Sequence, residues 1–177
     1  ADEKSKIIFI PTPNNPTANS FEYKAIKKII EEFPGLVVVD EAYIEFTDKE
    51  SLTKLLSKYS NLIICQTFSK AQGMAGIRLG MAFAQAELIK YINRIKAPYN
   101  LNSLTIEAAF KRLREQDKIR KNVNYLIRER KRIEKLLNEI GFIKKIYPSD
   151  ANFVLVRVDN SDLRYKQLLD LNIVVRN

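Results

Sequence analysis

Three short apolar runs separated by helical stretches limit this chain more than any other feature. They are Ile7-Ile8-Phe9-Ile10, Leu36-Val37-Val38-Val39 and Leu62-Ile63-Ile64-Cys65. The second has no polar alternation, which is the pattern of a strand buried on both faces of a parallel sheet. Between the first two, Ser20 is expected to cap a helix whose apolar face is Ala25, Ile26, Ile29, Ile30 and Phe33, with Pro34-Gly35 stopping it. A shorter helix around Leu52 to Leu56 separates the second run from the third. This order implies an α/β fold with a mostly parallel sheet, flanking helices and right-handed crossovers.

Farther along, Leu79 to Ala84 reads as a fourth strand and Glu87 to Asn93 as a short helix. The stretch Ala97-Pro98-Tyr99-Asn100 reads as a hinge. Helices are expected over about Ser103 to Glu115 and Lys118 to Ile140, the second stopped by Gly141. The tail reads as strand (Ile143 to Tyr147), strand (Asn152 to Val158), helix (Asp162 to Leu169) and strand (Ile173 to Arg176). The sequence starts one step before a strand and stops inside another, so a piece of a longer polypeptide is expected. A sheet cut at one side leaves an unpaired edge that favours association.

Composition removes several kinds of chemistry. The chain has no histidine, which excludes Ser-His-Asp and Cys-His catalysis within it and argues against a zinc site. A single cysteine, Cys65, permits no internal disulfide and suits a reducing, cytoplasmic setting; inside the third strand it reads as a small hydrophobe. No secretory pattern is visible at the start, and no apolar run approaches the ~18–20 residues of a membrane span. The net charge of +9 invites a nucleic-acid reading. Its distribution argues against one: in the basic segment Arg112 to Lys135, the residues Ile119, Val123, Leu126 and Ile133, with Leu137 just beyond, recur at helical spacing and leave the charges on a solvated face.

In open α/β sheets ligands bind at the carboxyl ends of the strands. Here those ends carry distinct polar groups: Asn14 and Asn15, then Asp40 with Tyr43, then Thr67, Ser69 and Lys70. Arg78 follows, past Gly73 and Gly76. Each is weak alone. Together they supply an amide, a carboxylate expected to be buried, a phenol, two hydroxyls, a primary amine and an anion-binding guanidinium.

The motifs Pro13-Asn14-Asn15-Pro16-Thr17, Val39-Asp40-Glu41-Ala42-Tyr43, Thr67-Phe68-Ser69-Lys70 and Gly76-Ile77-Arg78-Leu79-Gly80 resemble those of fold type I aminotransferases of class I/II. These enzymes depend on pyridoxal 5'-phosphate (PLP). Ala97-Pro98-Tyr99-Asn100-Leu101-Asn102 and Ser149-Asp150-Ala151-Asn152-Phe153 narrow the resemblance to a branch acting on a phosphorylated amino alcohol or amino acid together with a 2-oxo acid.

The resemblance implies that residues 1–98 are the C-terminal part of the PLP-binding large domain and 99–177 a small C-terminal domain. It implies that Lys70 anchors the cofactor aldehyde and moves the reaction's proton, and that Asp40 pairs with the pyridine nitrogen. Asn15 and Tyr43 would bond the ring's phenolic oxygen, while Thr67, Ser69 and Arg78 would hold the phosphate. Arg157 and Arg176, each expected to end an apolar strand, would grip the substrate's anionic group. A homodimer is implied as well, and catalysis by this piece alone is not expected. A related decarboxylase, an aromatic aminotransferase or the PLP-sensing half of a transcription regulator are the alternatives. The family's usual glycine after Asn-Pro-Thr is Ala18 here, which tests whether that turn needs a positive φ.

Overall fold

The computed structural model describes residues 2–177. Strands β1 (Ile7–Pro11), β2 (Leu36–Asp40), β3 (Leu62–Thr67) and β4 (Gly80–Ala84) form one sheet in that order. The first two pairings are parallel and the third is antiparallel. The fold is α/β with a mainly parallel sheet, as the alternation of runs implied. Only twelve residues lie between Thr67 and Gly80, which pair directly, too short a path for the helical crossover that a parallel return requires.

Helix α1 (Tyr23–Glu32) covers one face of this sheet. Its Ile26 and Ile30 pack with Ile10, Val37, Val39, Leu52, Leu62 and Ile64 into the main core. Each fully buried aliphatic side chain there contributes about 1.5–3 kcal/mol. Gly35 is fixed at the turn into β2, because an added Cβ would stand 2.2 Å from the Lys6 carbonyl oxygen. Ser20 is not the cap of α1. The extended residue before the helix is Glu22, which makes no side-chain cap, while the Ser20 N–H donates to Asp150 Oδ2 at 3.2 Å.

After β4 come α2 (Ala86–Ile95), α3 (Ser103–Leu113) and α4 (Gln116–Leu137). Asn102 caps α3 by accepting from the Thr105 N–H at 2.8 Å. The apolar stripe of α4 joins a second core, in which Ile119 and Val123 meet Ala18, Tyr43, Phe46, Ala71 and Ala151. The remainder is a two-stranded antiparallel ribbon, β5 (Ile143–Ile146) and β6 (Val156–Val158), followed by α5 (Ser161–Asp170).

Two expected strands change. The run from Asn152 is strand only over Val156–Val158, because Ser149–Phe153 forms a loop closed by the Ser149 hydroxyl donating to the Phe153 carbonyl at 2.6 Å. Residues 173–177 pair with no strand and are all exposed. Among the described residues no helix is long and apolar enough to cross a membrane.

Candidate active site at the carboxyl edge of the sheet

Parallel register brings the ends of β1, β2 and β3 together. Pro11 lies beside Asp40 and Asp40 beside Cys65, and the edge is laced by Thr12 N–H to Asp40 O (2.9 Å) and Glu41 N–H to Cys65 O (2.8 Å). Antiparallel β4 begins at this same edge, since Gly80 pairs with Thr67 and the Phe68 N–H donates to Leu79 O at 3.1 Å. The segment carrying Arg78 is thereby delivered to the edge that carries Lys70.

Asn15, Tyr43 and Lys70 come together. Asn15 Nδ2 donates to the Tyr43 hydroxyl at 2.9 Å, and the Lys70 ammonium lies 5.2 Å from the centre of the Tyr43 ring. Tyr43 is buried, and the Phe153 ring meets it edge-on with centroids 5.4 Å apart. The turn that presents Asn15 is held by Ala18 N–H to Asn14 O at 2.8 Å. Ala18 adopts φ 63° and is fully buried, so this turn does use the left-handed region although its residue is alanine.

Thr67 Oγ1 accepts from the Ser69 N–H at 3.0 Å, which shapes the loop leading to half-buried Lys70. Arg78 is exposed, has φ 53°, and donates from Nη1 to the Ala75 carbonyl at 3.0 Å. Arg157 is exposed in the middle of β6 rather than at a strand end, with Lys145 as its register partner. Arg176 is exposed in the unpaired tail.

Asp40 corrects an expectation, because its carboxylate is exposed rather than buried, with Oδ1 accepting from the Ala42 N–H at 3.0 Å. Side chains alternate across a strand, so Val38 and Asp40 face away from the core that takes Val37 and Val39. Glu41, two residues on from Val39, turns to the core side instead. It is 1% exposed and accepts from the Ser51 hydroxyl (2.6 Å), the Leu52 N–H (2.7 Å) and Gln66 Nε2 (2.9 Å). This is the buried carboxylate of the region. Period-two counting from Val37 would have found it.

Two neighbours feel these charges. Burial raises the Glu45 carboxyl above its ordinary range, and the nearby Glu41 adds to the shift. Burial, then the charge of Asp40, raises the thiol of half-buried Cys65, which disfavours its thiolate form. Among the described residues no cluster of His, Cys, Asp and Glu could hold a metal ion. A cavity of about 380 Å³ lies on the Glu41 side, lined by Phe21, Tyr23, Ile26, Ile44 and Leu52 among others. Its walls are mostly apolar and Lys70 is not among them, so the chemistry belongs to the strand edge.

Comparison with known proteins agrees with this geometry. A family model described as "Aminotransferase class I and II" matches residues 1–177. The histidinol-phosphate aminotransferase of Parabacteroides distasonis is 50% identical over 100% of this chain and 51% of its own length. That of Clostridium acetobutylicum superposes with a TM-score of 0.88 at 32% identity, covering 97% of this chain and 54% of that one. The enzyme from Sinorhizobium meliloti, solved in complex with pyridoxal-5'-phosphate, gives a TM-score of 0.89 at 26% identity over 98% of this chain and 49% of that one. The chain thus spans about half the length of the curated relatives it matches. With its sheet, its strand-end motifs and the match along its whole length in agreement, the chain belongs to the aminotransferase class I and II family.

Proposed function

We propose that this chain carries the lysine-anchoring part of the PLP site of a histidinol-phosphate aminotransferase, an enzyme of histidine biosynthesis that exchanges an amino group between a phosphorylated substrate and a 2-oxo acid. The observation that carries the reading is the convergence of Asn15, Tyr43 and Lys70 at one strand edge. The donor set fits the cofactor: an amine for its aldehyde, a carboxylate for its ring nitrogen, a phenol–amide pair for its phenolic oxygen, and hydroxyls with a guanidinium for its phosphate. Bound there, PLP supplies an electron sink for negative charge at the substrate's reacting carbon.

The chain's own residues do the rest. Lys70 is the base and acid that lifts the proton from the substrate carbon and returns it. Asp40 holds a proton on the ring nitrogen. Tyr43, oriented by Asn15, bonds the phenolic oxygen. Thr67, Ser69 and Arg78 bind the phosphate; Arg78 suits this because its fork matches phosphate and stays charged. Arg157 and Arg176 orient the substrate's anionic group. Residues 1–98 serve as the large-domain part and 99–177 as the small domain, moving about Ala97 to Asn100. Supporting the fragment reading is the span of about half of each relative. The remaining half would bring the glycine-containing phosphate loop and the ring-stacking aromatic, and a homodimer in the cytoplasm is the working assembly.

The test is PLP addition, borohydride reduction and mass mapping, with Lys70→Ala as control. Modification confined to Lys70 is expected. Scattered or absent modification that persists when the other half is supplied in trans refutes the reading. Product analysis of the reconstituted enzyme then separates transamination from decarboxylation.

A further inference from the structure

Arg130 lies on α4, far in sequence from the strand edge, and its side chain is only 10% exposed. Its Nη1 donates to two main-chain carbonyls from distant segments, Phe46 at 3.3 Å and Ala151 at 2.5 Å. Both residues are 1% exposed, so these oxygens have little access to water and need a protein donor. The guanidinium's ion pair is a long one, with Glu134 Oε1 4.0 Å from Nε, and Nε itself has no hydrogen-bond partner.

The two segments it joins are those that back Tyr43. Phe46 closes the 3-10 turn that starts beside Tyr43, with its N–H donating to the Tyr43 carbonyl at 3.0 Å. Ala151 lies two residues before Phe153, whose ring packs edge-on against Tyr43. The Ala151 loop is tied on its other side to the Asn15 turn, through Asp150 N–H to Ala18 O (2.7 Å) and Ser20 N–H to Asp150 Oδ2 (3.2 Å). One guanidinium therefore closes a ring of contacts running from the Tyr43 turn to the Ala151 loop, then to the Asn15 turn, and back to the Tyr43 hydroxyl.

We propose that Arg130 is a positioning residue for Tyr43, clamping the Ile44–Phe46 turn and the Ser149–Phe153 loop so that the phenol keeps its place between Asn15 and Lys70. The consequence for Lys70 rests on the PLP reading; the clamp itself does not. Arg130→Met keeps the apolar stem and removes both bonds, while Arg130→Lys keeps a charged donor for one carbonyl.

Amide hydrogen exchange on the chain decides the matter. In Arg130→Met the amides of Phe46, Asp150 and Ser20 are expected to exchange about tenfold faster, the size of one lost buried hydrogen bond, while those of Val39 and Ile64 hold. Arg130→Lys recovers part of that protection. PLP trapping at Lys70 falls in the Met variant and recovers in the Lys variant. Equal acceleration in the strands, or none at the three named amides, overturns the clamp. Unchanged trapping beside a loosened clamp overturns its link to Tyr43. If the parent chain traps no PLP even with the other half supplied in trans, the proposed function fails and the exchange data alone judge the clamp.

Discussion

Replacing Glu41 separates the value of its charge from the value of its acceptors. Its carboxylate is 1% exposed and satisfies three donors, from Ser51, Leu52 and Gln66. In Glu41→Gln the side-chain oxygen still accepts from the Leu52 N–H, the one donor that cannot turn. The new NH₂ can donate to Ser51, whose hydroxyl rotates, and the Gln66 amide can flip to offer its oxygen. Loss of the charge weakens these bonds but also removes the cost of burying an ion, so the change is about 1 kcal/mol or less. Glu41→Ala instead strands a buried backbone N–H and two side-chain donors. At about 1–3 kcal/mol for each unsatisfied group, partly relaxed, the loss is about 3–5 kcal/mol. Urea unfolding followed by far-ultraviolet circular dichroism reads the difference. With a slope of about 2 kcal/mol per molar, the midpoint of the Ala variant falls by about 1.5–2.5 M. An Ala variant within about 1 kcal/mol of the parent, or a Gln variant as weak as the Ala variant, refutes the reasoning.

Ala18→Gly relieves about 1–2 kcal/mol of left-handed strain but forfeits about 0.8 kcal/mol of methyl burial and adds about 0.4–1 kcal/mol of unfolded-state entropy. The urea midpoint should therefore barely move, and a loss above about 2 kcal/mol would show that methyl packing dominates. Gly35→Ala drives a Cβ to 2.2 Å from the Lys6 carbonyl and should cost about 1–3 kcal/mol, with early fraying of the β1–β2 pairing seen by amide exchange. Asp159 is held at about 2, below its ordinary 3.8, first by its hydrogen bonds to Arg164. Its stabilising contribution is fully present above about pH 4 and is lost as the pH falls toward 2, and Arg164→Gln should reduce that slope, leaving the smaller part due to the Asn160 N–H and Lys144. Glu45 has the opposite sign: its raised carboxyl favours the fold while protonated, so its contribution falls as the pH climbs through the window above its ordinary 4.5. A carbon-13 titration of the side-chain carboxyls checks both.

What could be read from the sequence was local. The runs around Ile8, Val38 and Ile63 specify strands, and the Ile26–Ile30 spacing specifies the helix that covers them. The polar groups at the strand ends were legible because a parallel sheet gathers those ends wherever it forms. Features set by partners distant in sequence were not legible. Arg130 falls at helical spacing on the covered face of α4, but nothing local names its partners, one of them a carbonyl 84 residues away. The Ile173 to Arg176 run has strand composition, yet a strand exists only where a neighbour completes its ladder. The expectation of a buried Asp40 fails because adjacent strand residues face opposite ways, and the face that takes Val37 and Val39 is the covered one.

The Phe9 side of the sheet bears on Asp40 in a further way. Phe9 is 70% exposed there, and Val38 and Asp40 lie on the same side of β2. The carboxylate now sits in a medium of high dielectric constant, where bulk water dissipates its field within a few ångströms. Any protein layer placed over Phe9 and Asp40 would displace that water and lengthen the reach of the same charge several-fold, while making its solitude costly. A cation fixed above it would then be held by a stronger coulombic force. On the proposed reading, whatever excludes solvent from this edge would strengthen its hold on a positively charged ring.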